Sequence, residues 1–277
     1  MNDTHTSKTV FTLRDERGMT IMELLVASFI GLFVVGTVFA AVRVQGRSAA
    51  FQTGLADAQL TSRGAGELLL QDLRMAGFGM LGVSPDDAAT FPPLSFGTTG
   101  GVTTLQLRGA FNNVTTTVAT AVNAGATSIS VTPPAEGAFQ AQNLVLIDSG
   151  LSSEIRTITS VGSSGGNVTL GLSAALAHGY PIGPFVTQIE VVTYVWSGNV
   201  LTRNNQVVAE NVPVFDLDFI DQDGVQTEDP GDDVRSVIVE FQAAQAASSQ
   251  LGDNPTARSR VDTEANMRNL AFRFDLS

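Results

Sequence analysis

Eight carboxylates crowd into 18 residues of this 277-residue chain: Asp216, Asp218, Asp221, Asp223, Glu228, Asp229, Asp232 and Asp233, with no basic residue among them. Like charges at this density repel, and oxygen ligands around a glycine turn suit a hard cation such as Ca²⁺. Asp221, Asp223 and Glu228 are the candidate calcium ligands. Asp221-Gln222-Asp223-Gly224 matches only the tail of a twelve-residue calcium loop, and no bidentate Glu follows at the right distance. A solvated acidic turn that holds no cofactor is the competing reading. Other chemistries lack their parts. There is no Cys, and His178 is the one His after residue 18, which removes His/Cys metal clusters and leaves little for a Ser–His–Asp triad. Gly162-Ser163-Ser164-Gly165-Gly166 leads into Asn167-Val168-Thr169-Leu170, so it reads as a turn before a strand and not as a phosphate loop. The carboxylates share one loop instead of facing each other across a cleft. No enzymatic activity is expected.

The most unusual single charge is Glu23. From Met19 to Val42 there are 24 residues, and Glu23 is the only charged one. At ~1.5 Å rise per residue that run is about 36 Å of helix, enough to cross a hydrocarbon core of roughly 30 Å. A carboxylate in such a segment costs roughly 2.5–3.5 kcal/mol at the centre and less near the edge, so it needs a partner. Ala27, Gly31, Gly36 and Ala40 form two small-xxx-small pairs that let helix backbones approach closely. Lys8, Arg14 and Arg17 lie before the run, and Arg43 and Arg47 follow it.

Gly18-Met19-Thr20-Ile21-Met22-Glu23, with Glu at the fifth position after Gly, resembles the class III signal of type IV pilins and type II secretion pseudopilins. The resemblance implies a prepilin peptidase cut between Gly18 and Met19, and methylation of the new N-terminus. Met19 stands where the family usually has Phe. Glu23 would then be an assembly residue, pairing with the Met19 amine of a neighbouring subunit and setting register. Leu73-Arg74-Met75-Ala76-Gly77-Phe78, Tyr194–Arg203 and Asp221-Gln222-Asp223-Gly224 resemble PilW-type minor pilins, with J-type pseudopilins as neighbours. The implied function is a minor pilin that assembles into or primes a type IV pilus. Its implied partners are major and minor pilin subunits, prepilin peptidase, the inner-membrane assembly machinery and, before assembly, membrane lipid. The implied location is single-pass in the inner membrane with the head outside the cytoplasm, then the pilus surface. An ordinary signal peptide cut after Val38-Phe39-Ala40, and a plain single-pass anchor, are the alternative readings of the same stretch.

The elements that must position these residues follow from periodicity. Phe51, Leu55, Ala58, Ala65, Leu69, Leu73 and Ala76, with Ser62, recur at helical steps, while Asp57, Arg63, Glu67, Asp72 and Arg74 fall off that stripe. Gly64 and Gly66 predict a weak turn, and Gly77-Phe78-Gly79 a stop. Pro85, Pro92 and Pro93 predict no further helix nearby. Short β-rich runs follow at Leu105-Gln106-Leu107, Ala124–Val131, Asn143–Asp148, Glu154–Val161 and Asn167–Leu170. The stretch from Thr117 to Val186 resembles a small β-module of surface and phage-tail proteins, and His178 falls in its closing turn. Gln188–Trp196 and Val200–Arg203 predict a hairpin across Ser197-Gly198-Asn199. Phe215, Leu217 and Phe219 alternate with Asp216 and Asp218. Arg235, Val237, Val239 and Phe241 share one face of a further strand. Ala243–Glu264 reads as an exposed loop, and Leu270, Phe272, Phe274 and Leu276 as a final strand.

The expected fold class is α+β: a long N-terminal membrane/pilin helix packed on an antiparallel β-sheet head, with an inserted small all-β module. The expected division is a leader at 1–18, a helix at 19–79 with 19–42 transmembrane, a head at 80–116 and 187–277, and an insert at 117–186. The leader holds three basic and three acidic residues, so its removal leaves 12 against 24 and a net charge still at −12. Such a head repels duplex phosphate. A surface-binding module for glycan, DNA or protein, displayed by the insert, is the second functional reading.

Overall fold

A computed structural model describes residues 19–80, 83–135, 137–221, 223–228, 230, 234–246 and 256–266. The chain divides into two units, residues up to Ala50 and residues from Phe51 onward. The class is α+β, with a long apolar N-terminal helix and antiparallel sheets.

The helix α1 (Ile21–Met75) is 55 residues long and is the one described helix long and apolar enough to cross a membrane. In the first unit every residue from Met19 to Ala49 is exposed, including Phe29, Leu32, Phe33 and Phe39. An uncovered apolar rod of this length demands lipid or protein around it.

In the second unit α1 buries Ala58, Ser62, Ala65, Leu69 and Leu73, following the predicted stripe from Ala58 on, while Phe51 is exposed and Leu55 half-buried. The helix runs unbroken through Gly64 and Gly66, so the expected weak turn does not form. Gly64 is exposed and Gly66 buried. The helix stops at Met75, and Gly77 (φ 78°) and Gly79 (φ 74°) adopt the left-handed backbone that a side chain resists. The end is pinned to the sheet: Gly77 N–H donates to Arg108 O at 2.8 Å, and Ala110 N–H donates to Phe78 O at 2.8 Å.

A short helix, α2 (Pro85–Thr90), forms where the prolines argued against one. Proline is tolerated in a first turn, where its missing N–H would have no helical partner. Ser84 caps it, its Oγ accepting from Asp87 N–H at 3.3 Å.

The strands follow as β1 (Leu94–Thr99), β2 (Val102–Gly109), β3 (Thr115–Thr117), β4 (Ser128–Val131), β5 (Leu144–Asp148), β6 (Ser153–Ser164) and β7 (Asn167–Leu172). Then come β8 (Phe185–Ser197), β9 (Val200–Arg203), β10 (Gln206–Ala209), β11 (Val214–Asp221), β12 (Gln226–Thr227), β13 (Val234–Ala246) and β14 (Thr256–Asn266). The larger sheet has the order β1-β2-β8-β5-β6-β7-β4, with β3 and β9 also on β8 and β10 on β9. The smaller is β12-β11-β13-β14. The predicted hairpin is present: Ser197 pairs with Val200 across Gly198 and Asn199, both at positive φ, which suits the right-handed twist of the arms. Gly165 and Gly166 make a similar turn between β6 and β7.

Two predicted features of the strands change. Ala243–Glu264 is not a loop through its described part: β13 extends to Ala246 and pairs along β14, and Ala243 and Ala265 are buried. The register shifts between Ile220 and Asp221, which pair with Ser236 and Val234. Arg235 is the extra residue of that bulge, so it turns out to solvent and Val234 is buried in its stead. The predicted strand at 270–276 lies outside the described residues.

The largest core joins Ala65, Leu69 and Leu73 of α1 to inward residues of both sheets, among them Leu105, Leu107 and Tyr194 of the larger and Phe215, Leu217 and Phe241 of the smaller. Phe96 on β1 meets Phe219 on β11 edge to face, with centroids 5.5 Å apart. A second core, including Val118, Ile129, Ile147, Ile158, Leu170 and Tyr180, lies wholly between Val114 and Val186. Strand β8 serves both regions: Phe185–Ile189 pairs with β5, and Glu190–Trp196 pairs with β2.

Candidate functional site

The start of α1 shows what Glu23 does locally. Thr20 O accepts from Leu24 N–H at 3.1 Å, and Thr20 Oγ1 accepts from Glu23 N–H at 3.2 Å. Thr20 therefore caps the helix and Glu23 is its third residue, the spacing of a capping box. An anion beside the free N–H groups of a helix start gains roughly 0.3–1 kcal/mol. Glu23 thus suits this position before any partner is considered. Met19 and Glu23 are both exposed, and Gly18 lies outside the described residues. Further along, Ser28 Oγ donates to Leu24 O and Thr37 Oγ1 to Val34 O, each at 2.8 Å. These hydroxyls are satisfied inside the helix.

Of the acidic candidates, Asp221 and Asp223 fall at the β11–β12 turn and Glu228 follows β12. Asp221 Oδ1 accepts from Asp223 N–H at 2.9 Å and Val225 N–H at 2.7 Å, and Gly224 (φ 80°) completes the reversal. This is an Asx-type turn, in which the carboxylate replaces missing backbone acceptors. Asp223 and Glu228 are exposed, while Asp229, Asp232 and Asp233 lie outside the described residues. Among the described residues no three His, Cys, Asp or Glu side chains gather to hold a metal.

Sequence periodicity placed Asp72 on the wet face of its helix. The structure buries it at 4% exposure. Asp72 Oδ2 accepts from Tyr194 Oη and Arg203 Nε, each at 2.6 Å, and Oδ1 accepts from Arg203 Nη2 at 3.1 Å. The two-pronged guanidinium contact is the strong form of a carboxylate pair. It raises the Arg203 pKa, chiefly through the hydrogen bond to Asp72. Burial, followed by the Asp72 contact, pushes the Tyr194 hydroxyl well above its ordinary value. No periodicity could reveal this, because both partners lie over a hundred residues away in sequence.

A second polar cluster sits beneath the β5–β6 turn. Glu154, buried, accepts from the Arg156 guanidinium, from Ala177 N–H at 2.9 Å and from His178 N–H at 3.2 Å. Asp87 of α2 accepts from Ile155 N–H at 3.2 Å and lies 3.8 Å from Arg156. His178 therefore belongs to a closing turn that Glu154 fastens, and its ring is half exposed with Nδ1 4.0 Å from Glu154 Oε1. Burial, then Glu154, raises the Tyr180 pKa.

Two clefts flank the same turn. One of about 440 Å³ is lined by Val83, Ser84, Ser153 and His178, the other of about 600 Å³ by Pro181, Ile182, Pro184 and Phe185. Both share Asp148, Gly150, Leu151 and Ser152. The arrangement offers binding surface and structural ion pairs. No known protein family, curated protein or solved structure matches this chain.

Proposed function

We propose that this chain is a membrane-anchored filament subunit of the type IV pilin class, acting as a minor pilin. The observation that carries the reading is the pairing of Gly18-Met19 and Glu23 with a single apolar helix segment, exposed from Met19 to Ala49. A capped helix start holds the Glu23 carboxylate where the amine of a processed neighbour can meet it, and that pairing offsets the cost of removing both charges from water. Before assembly the segment rests in lipid, in the inner membrane with the head outside the cytoplasm. After assembly it packs on neighbouring subunits through Ala27, Gly31, Gly36 and Ala40. Prepilin peptidase and the inner-membrane assembly machinery are its processing partners. The subunit performs no reaction of its own. Motility, adhesion, DNA uptake and secretion are the tasks that such filaments serve, and a type II secretion pseudopilin is a variant of the same proposal.

Mass spectrometry of the mature protein tests it. The expected N-terminus is methylated Met19. A start at Ala41 would mean instead an exported protein released by an ordinary signal peptidase.

A second reading gains support from the separate core between Val114 and Val186. A region that buries its own apolar residues can be elaborated as a binding module, with the filament part acting as its carrier. It is compatible with the first reading, because both use the same anchor.

A further inference from the structure

Gly97 sits inside β1 where the fold gives no reason for a glycine. The pairing of β1 with β2 runs without a bulge, from Leu94 opposite Leu107 to Thr99 opposite Val102. Gly97 is exposed, its φ is not positive, and a Cβ built on it meets nothing within 4 Å. Glycine weakens a strand, and one that serves no bulge or bend marks a place where a ligand comes close to the backbone. A cleft of about 350 Å³ lies there, lined beside Gly97 by Ser95, Thr99, Thr104 and Gln106 among others, and none of its lining residues is charged. Leu105 and Leu107 of β2 are buried in the core, so Thr104, Gln106 and Arg108 lie on the opposite, outer face. Arg108 is half-buried there. Its Nη1 donates to Pro92 O at 2.8 Å and its Nη2 to Gln106 Oε1 at 3.0 Å. Both acceptors are neutral, and among the described residues no carboxylate pairs with this guanidinium. Burial lowers the Arg108 pKa, the reverse of Arg203, which Asp72 holds up. A cation drawn partly out of water is costly unless an anion meets it. Acids are not scarce in this chain, with 27 against 15 basic residues, yet none of the described ones is placed here.

We infer that this outer face of β1 and β2 binds a sugar acid, its ring over Gly97 and its carboxylate on Arg108. The guanidinium selects the anion, because a planar carboxylate takes charge-assisted bonds from it and supplies the missing counter-charge. The cleft selects the rest of the ligand. Hydroxyls of Ser95, Thr99 and Thr104 both donate and accept, as the hydroxyls of a sugar require of their partners. Arg108 holds Gln106 Oε1, which leaves the Gln106 amide N–H groups to donate into the cleft. A volume of about 350 Å³ is at the small end of the roughly 300–1,000 Å³ of small-molecule sites, enough for a single ring. The net charge of −12 opposes an anion at long range, but salt screens that field beyond about 8 Å. The site lies on β1 and β2, outside the core between Val114 and Val186, so it rests on neither the filament reading nor the binding-module reading.

The test uses the full chain in micelles of a polyoxyethylene detergent, which carries neither sugar nor charge. Saturation-transfer NMR titrations compare glucuronate, galacturonate and mannuronate with glucose, galactose and mannose, and with inorganic phosphate. At least one sugar acid should bind about tenfold or more tightly than its neutral parent, the effect of one charge-assisted pair. Arg108→Gln should bring acid and parent within about twofold of each other. Gly97→Leu should abolish binding of both, because its side chain enters the open space of the cleft and leaves Arg108 in place. That second variant keeps the test decisive if Arg108→Gln folds poorly. The proposal is overturned if no sugar acid binds, if acid and parent bind native protein equally, or if Gly97→Leu binds as the native chain does. Phosphate that displaces the sugar acid at equal concentration overturns it too, since the hydroxyl-lined cleft would then contribute nothing.

Discussion

Tyr194 on β8 and Arg203 on β9 stand directly opposite each other in the antiparallel register, and both hydrogen-bond the carboxylate of Asp72. A single cross-strand pair thus grips the last turns of the long helix. The contact is specific in a way apolar packing is not, because it fixes both the rotation of the helix and its height against the sheet.

Asp72→Ala should be strongly destabilising to the second unit. It strands a buried tyrosine hydroxyl and a guanidinium that is still partly in contact with water. The expected loss is about 2–4 kcal/mol, below the full figure for a buried pair because Arg203 remains 30% exposed. Arg203→Lys should lose about 1 kcal/mol, since an ammonium cannot make the two-pronged contact. Chemical denaturation followed by Trp196 fluorescence measures both.

The chain has two tyrosines, Tyr180 and Tyr194, and both are buried with raised pKa values. Unfolded tyrosine ionises near pH ~10. Above that pH the unfolded state gives up protons that the folded state retains, so stability is intact below ~10 and falls as pH rises further. The folded protein should show no tyrosinate absorbance at pH 10.5 or so, and the band should appear together with loss of the sheet signal in circular dichroism. A tyrosinate band that develops while the sheet signal is intact would contradict the burial of these hydroxyls.

Gly64 lies inside α1 on an exposed face, and a Cβ built there meets nothing within 4 Å. Gly64→Ala should therefore stabilise the second unit by ~0.5–1 kcal/mol. Gly109→Ala should do the reverse, because its Cβ would fall 2.6 Å from Met75 O. Paired melting curves of the two variants give opposite signs if the helix end docks as described.

Glu23 occupies the third position of a helix start and is proposed to carry the assembly charge, and Glu23→Gln separates the two. Glutamine keeps the side-chain length and acceptor of a capping box but carries no charge. If the charge pairs with a neighbouring amine, Glu23→Gln and Glu23→Ala are both inserted and processed, and both fail to enter filaments. Incorporation of the Gln protein at the wild-type level would leave only the capping role. Immunoblots of sheared filaments against membrane fractions provide the measurement.

Asp221 holds its turn by accepting two backbone N–H bonds, a task that asparagine can share. Asp221→Asn should melt within a few tenths of a kcal/mol of the native protein, and Asp221→Ala about 1 kcal/mol lower. If Asp221, Asp223 and Glu228 also hold calcium, millimolar Ca²⁺ will raise the melting temperature of the native protein and not that of Asp221→Asn. An equal response in both leaves the carboxylate with its turn role alone.

Much of this architecture was readable from periodicity. The helix stripe from Ala58 to Ala76, the Gly77 stop, the Ser197–Val200 hairpin and the alternation of Phe215, Leu217 and Phe219 all depend on local patterns and appear as read, whereas Phe51 at the start of the stripe is exposed. The misses share a different origin. Asp72 looked solvent-facing because a charge is costly to bury, and its compensation comes from strands distant in sequence. Strand β14 was missed because its residues are polar, and only pairing with β13 makes a strand of them. Arg235 faced the wrong way because a one-residue bulge takes it out of the alternation that Val237, Val239 and Phe241 keep. The short helix α2 was dismissed on proline content, although a first turn accepts proline. In the candidate site, Glu23 was found from its improbable surroundings, whereas its link to Thr20 needed coordinates.

Strand β8 has a mechanical consequence. Its first five residues are stitched to β5 and its remainder to β2, so one covalent segment runs through both regions without a hinge. Traction along that segment would load rows of backbone hydrogen bonds side by side, in shear, and would not peel them one after another. A molecule built this way can transmit a pull from its outer strands inward with little give.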